Sequence, residues 1–267
     1  MAGTVVTITS GKGGVGKTTA TANIGAALAA EGQSVVCIDA DIGLRNLDVV
    51  MGLENRIVYD LVDIIEGRCR VRQAMIRDKR LPMLHLIPAA QTRDKSAVSP
   101  SDMVRLCDDL RQEHRWILVD SPAGIERGFR NALAPADTVL VVTNPEVSAV
   151  RDADRIIGLI EAEEKGPARL VINRIRPDMV KRGDMLTVDD IVELLAIDLI
   201  GLIPDDEEIM MGANRGTPIA LNGKSKAGQA FRNVSTRLQG EDIPYLDLYA
   251  NDNIFGRLSR FIRSGGE

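Results

Sequence analysis

Gly11-Lys-Gly-Gly-Val-Gly-Lys-Thr18 fits the pattern G-x-x-x-x-G-K-[ST], and its setting decides the fold. An apolar, β-branched run (Thr4–Thr9) precedes it and an Ala-rich helical pattern (Thr19–Ala30) follows. A strand, a glycine-rich turn and a helix N-terminus in that order make an anion cradle: backbone N–H groups converge, and the helix dipole favours negative charge. Gly13, Gly14 and Gly16 are expected to supply backbone geometry that other residues resist. Lys17 can reach β- and γ-phosphates, and Thr18 offers its hydroxyl to Mg²⁺. Gly11, Lys12, Val15 and Thr19 complete the candidate phosphate-contacting set. The expectation is a site for ATP and Mg²⁺ with hydrolytic activity.

Working outward, short β-branched runs alternate with helix-period segments. The strand candidates after the first are Ser34–Ile38, Met83–Pro88, Trp116–Val119, Thr138–Thr143, Arg169–Ile172 and Leu199–Ile203. Several are nearly all apolar, as parallel strands covered on both faces must be. Between them, Ser99 can cap a helix with Pro100 at its first position and Asp102 in its first turn; Met103, Leu106, Cys107 and Leu110 then recur at helical spacing. Thr187 with Asp190 opens another helix, through Ile191, Leu194 and Leu195. Strand–helix alternation predicts an α/β fold: a single-domain P-loop NTPase with a doubly wound, mostly parallel sheet flanked by helices. Trp116-Ile-Leu-Val-Asp120 ends an apolar strand in a carboxylate suited to a water-mediated Mg²⁺ contact. Asp39 and Asp41 follow the second strand, and all three loops should open at the C-terminal edge of the sheet. An aspartate at a strand end also serves as a cap or turn residue. Thr18, Asp41 and Asp120 are the candidate Mg²⁺ set.

Composition bounds the partners. The 267 residues carry a formal charge of −5, so no global basic field points to nucleic acid. Cys37, Cys69 and Cys107 are widely spaced, without a C-x-x-C pair, which argues against a disulfide framework or zinc site and for a reducing, cytoplasmic setting. Cys37 and Cys107 are expected to fill core. The N-terminus runs straight into a strand pattern, so no signal peptide is expected. No window reaches the ~18 apolar residues of a membrane span.

With Lys12 the loop takes the form K-G-G-V-G-K-T, which resembles the deviant Walker A loop of the MinD/ParA/iron-protein ATPases. Asp39-Ala-Asp-Ile-Gly-Leu-Arg-Asn-Leu-Asp48, Pro88-Ala-Ala-Gln-Thr-Arg-Asp94, Asp120-Ser-Pro-Ala-Gly-Ile-Glu126, Thr143-Asn-Pro-Glu-Val-Ser148 and Arg182-Gly-Asp-Met-Leu186 resemble the members that select the bacterial and plastid division site. The resemblance implies that Lys12 crosses a homodimer interface to the partner's phosphates. It implies that Asp41 is a switch I residue near the attacking water. Asp120 to Gly124 would be switch II, with a backbone N–H sensing the γ-phosphate. Asn173 would contact adenine, and Pro204 and Asp205 would close over the base. Lys12, Lys17 and Asp41 are then the candidate catalytic residues. No Gln or Glu stands out as an independent water-positioning base, so turnover is expected to be slow until dimerisation or a partner completes the site. Glu146-Val-Ser-Ala-Val-Arg-Asp-Ala-Asp-Arg155 resembles the helix that docks regulators, with Asp152 and Asp154 as its acidic groups. The partners implied are a division inhibitor of the MinC type and an ATPase-stimulating topological factor of the MinE type.

The chain is expected to divide into an ATPase domain (1–246), a linker (247–253) and a C-terminal segment (254–267). In the last, Ile254, Phe255, Leu258, Phe261 and Ile262 fall within one arc of roughly 120° at ~100° per residue, with Arg257, Arg260 and Arg263 outside it. A bulky apolar face beside a cationic one predicts an interfacial helix for an anionic membrane surface, although Gly256 costs it about 1 kcal/mol of helix propensity. Each apolar side chain gives roughly 1.5–3 kcal/mol if fully buried, but interfacial burial is partial and ordering costs roughly 1–2 kcal/mol per residue. One tail is therefore marginal, and two on a dimer bind by avidity. ATP-driven dimerisation would switch membrane binding on, at the cytoplasmic face of the cell membrane. The competing readings are a DNA-partitioning ATPase of the ParA type, which needs a basic surface, and a cluster-bearing relative, which needs a cysteine pair that this chain lacks.

Overall fold

The computed structural model describes residues 2–248. Its centre is an eight-stranded sheet in the order β3-β4-β2-β5-β1-β6-β7-β8. The strands are β1 (Thr4–Thr9), β2 (Val35–Asp39), β3 (Ile76–Arg77), β4 (Leu84–Ile87), β5 (Trp116–Asp120), β6 (Thr138–Thr143), β7 (Ala168–Ile175) and β8 (Asp198–Pro204). All pairings are parallel except β3 with β4. Seven strands match the sequence expectation to within a few residues. The eighth, β3, is two residues long on an edge, too short for any periodicity to announce it.

Helices cover both faces. They are α1 (Lys17–Ala30), α2 (Leu47–Met51), α3 (Leu61–Ile65), α4 (Val71–Ala74), α5 (Pro100–Leu110), α6 (Arg127–Leu133), α7 (Val147–Ala162), α8 (Pro177–Arg182), α9 (Val188–Leu195), α10 (Glu207–Asn214) and α11 (Lys226–Leu238). The strands bury residues on both sides, so the inner ones read as continuous apolar runs: all five residues of β2 and of β5 are buried. Cys37 packs with α1 on one face, and Cys107 is on the buried side of α5 on the other. Burial pushes both thiols up, Cys107 to about 12.

The two predicted helix starts form, and each is a reciprocal capping box. Ser99 Oγ accepts from Asp102 N at 3.2 Å while Ser99 N donates to the Asp102 carboxylate at 3.0 Å. Thr187 and Asp190 exchange the same pair of bonds at 3.1 Å each. One expectation fails within α9: Leu194 is 61% exposed. The buried pair Ile191 and Leu195, flanked by Val188 and Val192, sets the inward direction. Leu194 lies about 110° from it at ~100° per residue.

β1 lies between β5 and β6, where strand order reverses, so the crevice beyond the strand ends opens over β1. Register places Ile8, Asp39 and Asp120 level across β1, β5 and β2. After α11 the chain runs back along the edge strand: Tyr245 donates its hydroxyl to the Leu199 carbonyl and Arg237 lies 4.0 Å over the Tyr245 ring. The segment 254–267, with Ile254, Phe255, Arg257, Leu258, Arg260, Phe261 and Ile262, lies outside the described residues, as does the linker from 249 on. Among the described residues no helix is long and apolar enough to cross a membrane.

Candidate nucleotide site

The loop between β1 and α1 folds as the motif requires. Gly16 caps α1 at φ 104°, and a Cβ there would collide with the Asn173 side-chain amide, so both the conformation and the space demand glycine. Gly14 also takes positive φ; Gly13 does not, so only two of the three glycines use the special geometry expected. Gly11 packs against the Asp152 carbonyl of α7, which puts the phosphate loop in contact with the helix whose acidic face was expected to dock partners.

Lys17 begins α1 and is buried. Burial lowers its pKa, and the charges of Asp120 and Asp41 oppose that fall. Asp120 ends β5. Burial pushes its carboxyl up to about 7, Asp39 adds to the rise, and the Thr18 hydroxyl and Lys17 hold it down. Thr21, one turn along α1, donates to Asp120 Oδ1 at 3.3 Å. Sequence reading missed Thr21; its only signal was the i+4 spacing from Lys17 on the same helix face. Asp39 is raised to about 6 by burial, offset in part by N–H donors from Asp41 (3.0 Å), Asn46 (3.2 Å) and Leu47 (3.1 Å). Those bonds fix the whole Ala40–Asn46 loop to the end of β2.

Asp120 and Asp41 thus act on one buried lysine, with Asp39 and the Thr18 hydroxyl beside Asp120. This excess of hard oxygen donors fits Mg²⁺. Among the described residues no three such side chains converge tightly enough to hold a metal alone. That suits an ion completed by phosphate oxygens and water, for which Thr18, Asp41 and Asp120 are the candidate donors.

Lys12 behaves differently from Lys17. It is about half exposed, and its ammonium lies 3.4 Å from Glu146 and 3.3 Å from the Ser148 hydroxyl, at the start of α7. An exposed pair of this kind is worth about 0–1 kcal/mol, so another anion can displace it. In switch II, the Gly124 N–H expected to sense phosphate donates to the Ser10 carbonyl at 3.2 Å, so contact with a nucleotide requires that bond to be exchanged.

The base side is a cleft of 730 Å³ lined by Gly16, Thr19, Asn173, Arg176, Asp205 and Met210, among others. Asn173 is buried; its Nδ2 donates to the Val15 carbonyl at 2.7 Å, and its Oδ1 is buried with no hydrogen-bond partner. An orphaned acceptor in a base cleft fits the 6-amino group of adenine. Pro204 ends β8 and is not among the residues that line the cleft; Asp205 N donates to the Ile175 carbonyl at 2.9 Å, which holds Asp205 at the cleft wall.

A strand–loop–helix phosphate cradle with a buried lysine, a hydroxyl–carboxylate pair and a base cleft at the sheet's switch point defines a P-loop nucleotide-binding protein. Residues 6–219 match the family described as CobQ/CobB/MinD/ParA nucleotide binding domain. The septum site-determining protein MinD of Bacillus subtilis is 55% identical over 244 residues, 91% of each chain; that of Synechocystis sp. is 52% identical over 98% of this chain and 99% of its own. Among solved structures, the MinC:MinD cell division protein complex of Aquifex aeolicus matches with TM-score 0.86 at 50% identity, over 92% of this chain and 100% of that one. MinD complexed with Mg-ADP from Pyrococcus horikoshii matches with TM-score 0.79 at 26% identity, over 88% and 95%. The chain belongs to this family, on its MinD branch.

Proposed function

We propose that this chain is an ATP-dependent, dimerising ATPase switch that helps place the division septum. In this reading the ATP-bound homodimer docks on anionic membrane through residues 254–267 and recruits a division inhibitor of the MinC type. The observation that carries it is the division of labour between two lysines of one turn. Lys17 is buried among Asp41 and Asp120 and serves the local phosphates; Lys12 stands outside that site, on a weak surface pair, with its charge free to meet a second subunit's nucleotide. The solved MinC:MinD complex of a 50% identical relative supports the inhibitor, and the Mg-ADP complex of another supports the cofactor.

When bound, Mg²⁺ would neutralise charge developing between the β- and γ-phosphates. The protein's own groups do the rest. Lys17 and the N–H groups of residues 13–18 hold the phosphates, and the Thr18 hydroxyl orients the ion. Asp41 holds the attacking water. Gly124 exchanges Ser10 for a phosphate oxygen, so that switch II is ordered only with triphosphate. Lys12 of the second subunit supplies the remaining positive charge. Without it the electrostatic stabilisation is incomplete, and turnover is slow until dimerisation and a MinE-type factor complete the site. Asp154, exposed on α7, and Asp152, paired with Arg155 at 3.4 Å, offer an acidic docking face next to Lys12. Kinship favours this reading over a ParA-type partitioning role, because relatives above 50% identity carry the septum-determining name.

Sedimentation of the full chain with anionic liposomes tests the switch. Binding in ATP and not in ADP, lost in Phe261→Glu, is expected; equal binding in both nucleotides would overturn it.

A further inference from the structure

Arg80 lies far from the phosphate loop in sequence, in the turn between β3 and β4, yet it joins the C-terminal end of α2 to the segment just past α10. Its Nη2 donates to the Met51 carbonyl at 2.7 Å, at the C-terminal end of α2. Its Nη1 donates to the Gly216 carbonyl at 2.7 Å and to Thr217 Oγ1 at 3.1 Å, just past α10. Asp78, itself buried, accepts from Arg80 Nε at 3.1 Å and from Nη2 at 2.7 Å, and so fixes the plane of the guanidinium. A planar fork is needed here, because three chain segments meet at one group.

The two helices also touch backbone to backbone at this point. Gly52 and Gly216 both have positive φ; a Cβ on Gly52 would lie 2.6 Å from the Gly216 carbonyl, and one on Gly216 would run into the Gly52 backbone. Each helix reaches the nucleotide site at its other end. The start of α2 is held by the Asp39 carboxylate through Asn46 N and Leu47 N, two residues from Asp41. The start of α10 is capped by Asp206, next to Asp205 in the base cleft; the Asp206 carboxylate accepts from Glu208 N at 2.9 Å and from Ser225 Oγ at 3.2 Å. The phosphate side and the base side of the cleft are thus the near ends of two short struts whose far ends are pinned together by Arg80.

We propose that Arg80 is a positioning residue for nucleotide binding: by joining the far ends of α2 and α10 it sets the distance between the switch I loop and the base loop. It touches no nucleotide and acts through those two loops. The inference rests on the ATP reading above, which wild-type binding tests separately. A group that holds both halves of a cleft in register governs ground-state affinity more than the chemical step, because both loops grip substrate and transition state alike.

Steady-state ATPase kinetics and equilibrium titration of the full chain with a fluorescent ATP analogue test it in wild type, Arg80→Ala and Arg80→Lys. Arg80→Ala is expected to raise KM and Kd for ATP about tenfold with kcat within about twofold at saturating ATP. Arg80→Lys keeps the charge and loses the fork, so an intermediate KM is expected. A role confined to stability would lower the melting temperature and leave KM and Kd unchanged. That outcome in Arg80→Ala, or in Arg80→Lys should the alanine variant not fold, overturns the proposal. Failure of the wild-type chain to bind ATP would overturn the parent reading, and this one with it.

Discussion

Asp120 and Asp39 sit level at the ends of β5 and β2, both buried, both raised above the ordinary carboxylate range. A carboxyl whose folded pKa exceeds its unfolded value stabilises the fold below the unfolded pKa, and that stability is lost as pH rises through the folded value. The nucleotide-free protein should therefore lose stability between about pH 4 and about pH 7, the window set by Asp120. Asp120→Asn should flatten that slope. Denaturant melts at pH 5 and pH 8, without Mg²⁺, check it, and parallel curves for variant and wild type would count against it. Asn173 supports a second expectation. Its buried acceptor matches the amino group of adenine and opposes the carbonyl that guanine carries at the same ring position. ATP should bind roughly 5- to 150-fold more tightly than GTP, because a mispaired buried acceptor costs about 1–3 kcal/mol. Competition titration measures the ratio, and equal affinities would remove Asn173 from the base site. Asp39 shows how far residue-level reading goes. Its place at the end of the second strand marked it as a candidate, but its three N–H donors, which make it the anchor of the loop after β2, come from residues up to eight positions downstream.

At the scale of elements, local chemistry is a good guide where a signal is contained within one turn. Ser99, Pro100 and Asp102 all belong to the first turn of α5, and the cap forms as read. Ser99→Ala should cost about 1 kcal/mol and lower the melting temperature by roughly 2–4 °C. A calorimetric scan that shows no change would mean the cap is redundant. The Ser99 hydroxyl foremost, with its N–H and Arg105, holds the Asp102 pKa low against the opposing effect of burial. That share of the stabilisation is present above the ordinary carboxylate pKa and is lost as pH falls below it. Elements defined by their neighbours were less visible. β3 exists because Ile76 and Arg77 meet β4, and no two residues carry a period. The exposure of Leu194 follows from how α9 is turned toward the sheet, a rotation that Ile191 and Leu195 decide jointly.

At the scale of the whole molecule, the proposed function makes this site one half of what the chemistry needs. Lys12 points away from the phosphates its own loop cradles and rests on Glu146 and Ser148. If a second subunit receives it, specific ATPase activity must rise with protein concentration, and Lys12→Ala should hold it at the basal level. Turnover measured over about a hundredfold range of protein concentration tests this; a fast rate independent of concentration would make the monomer competent. Avidity of paired tails would then raise membrane affinity by about 10²–10⁴ on dimerisation. α7 is in contact with the phosphate loop through Gly11 and Asp152, so under the proposed function nucleotide state and partner docking would share one side of the fold.

The amino-acid sequence by itself determined the phosphate loop, seven of the eight strands, the helix starts at Ser99 and Thr187 and the burial of Cys37 and Cys107. Each of these is written in residues close together in the chain, where periodicity, turn chemistry and helix capping act. Only the tertiary structure decided that Gly13 is an ordinary glycine, that Gly124 is already bonded to Ser10, that Asn173 keeps a free buried acceptor, and that Arg80 pins α2 to α10. These depend on groups brought together across tens to more than a hundred residues, and no local pattern encodes a contact whose partner is elsewhere. The loop at residues 11–18 announces a nucleotide; the packing around it decides how the protein grips one.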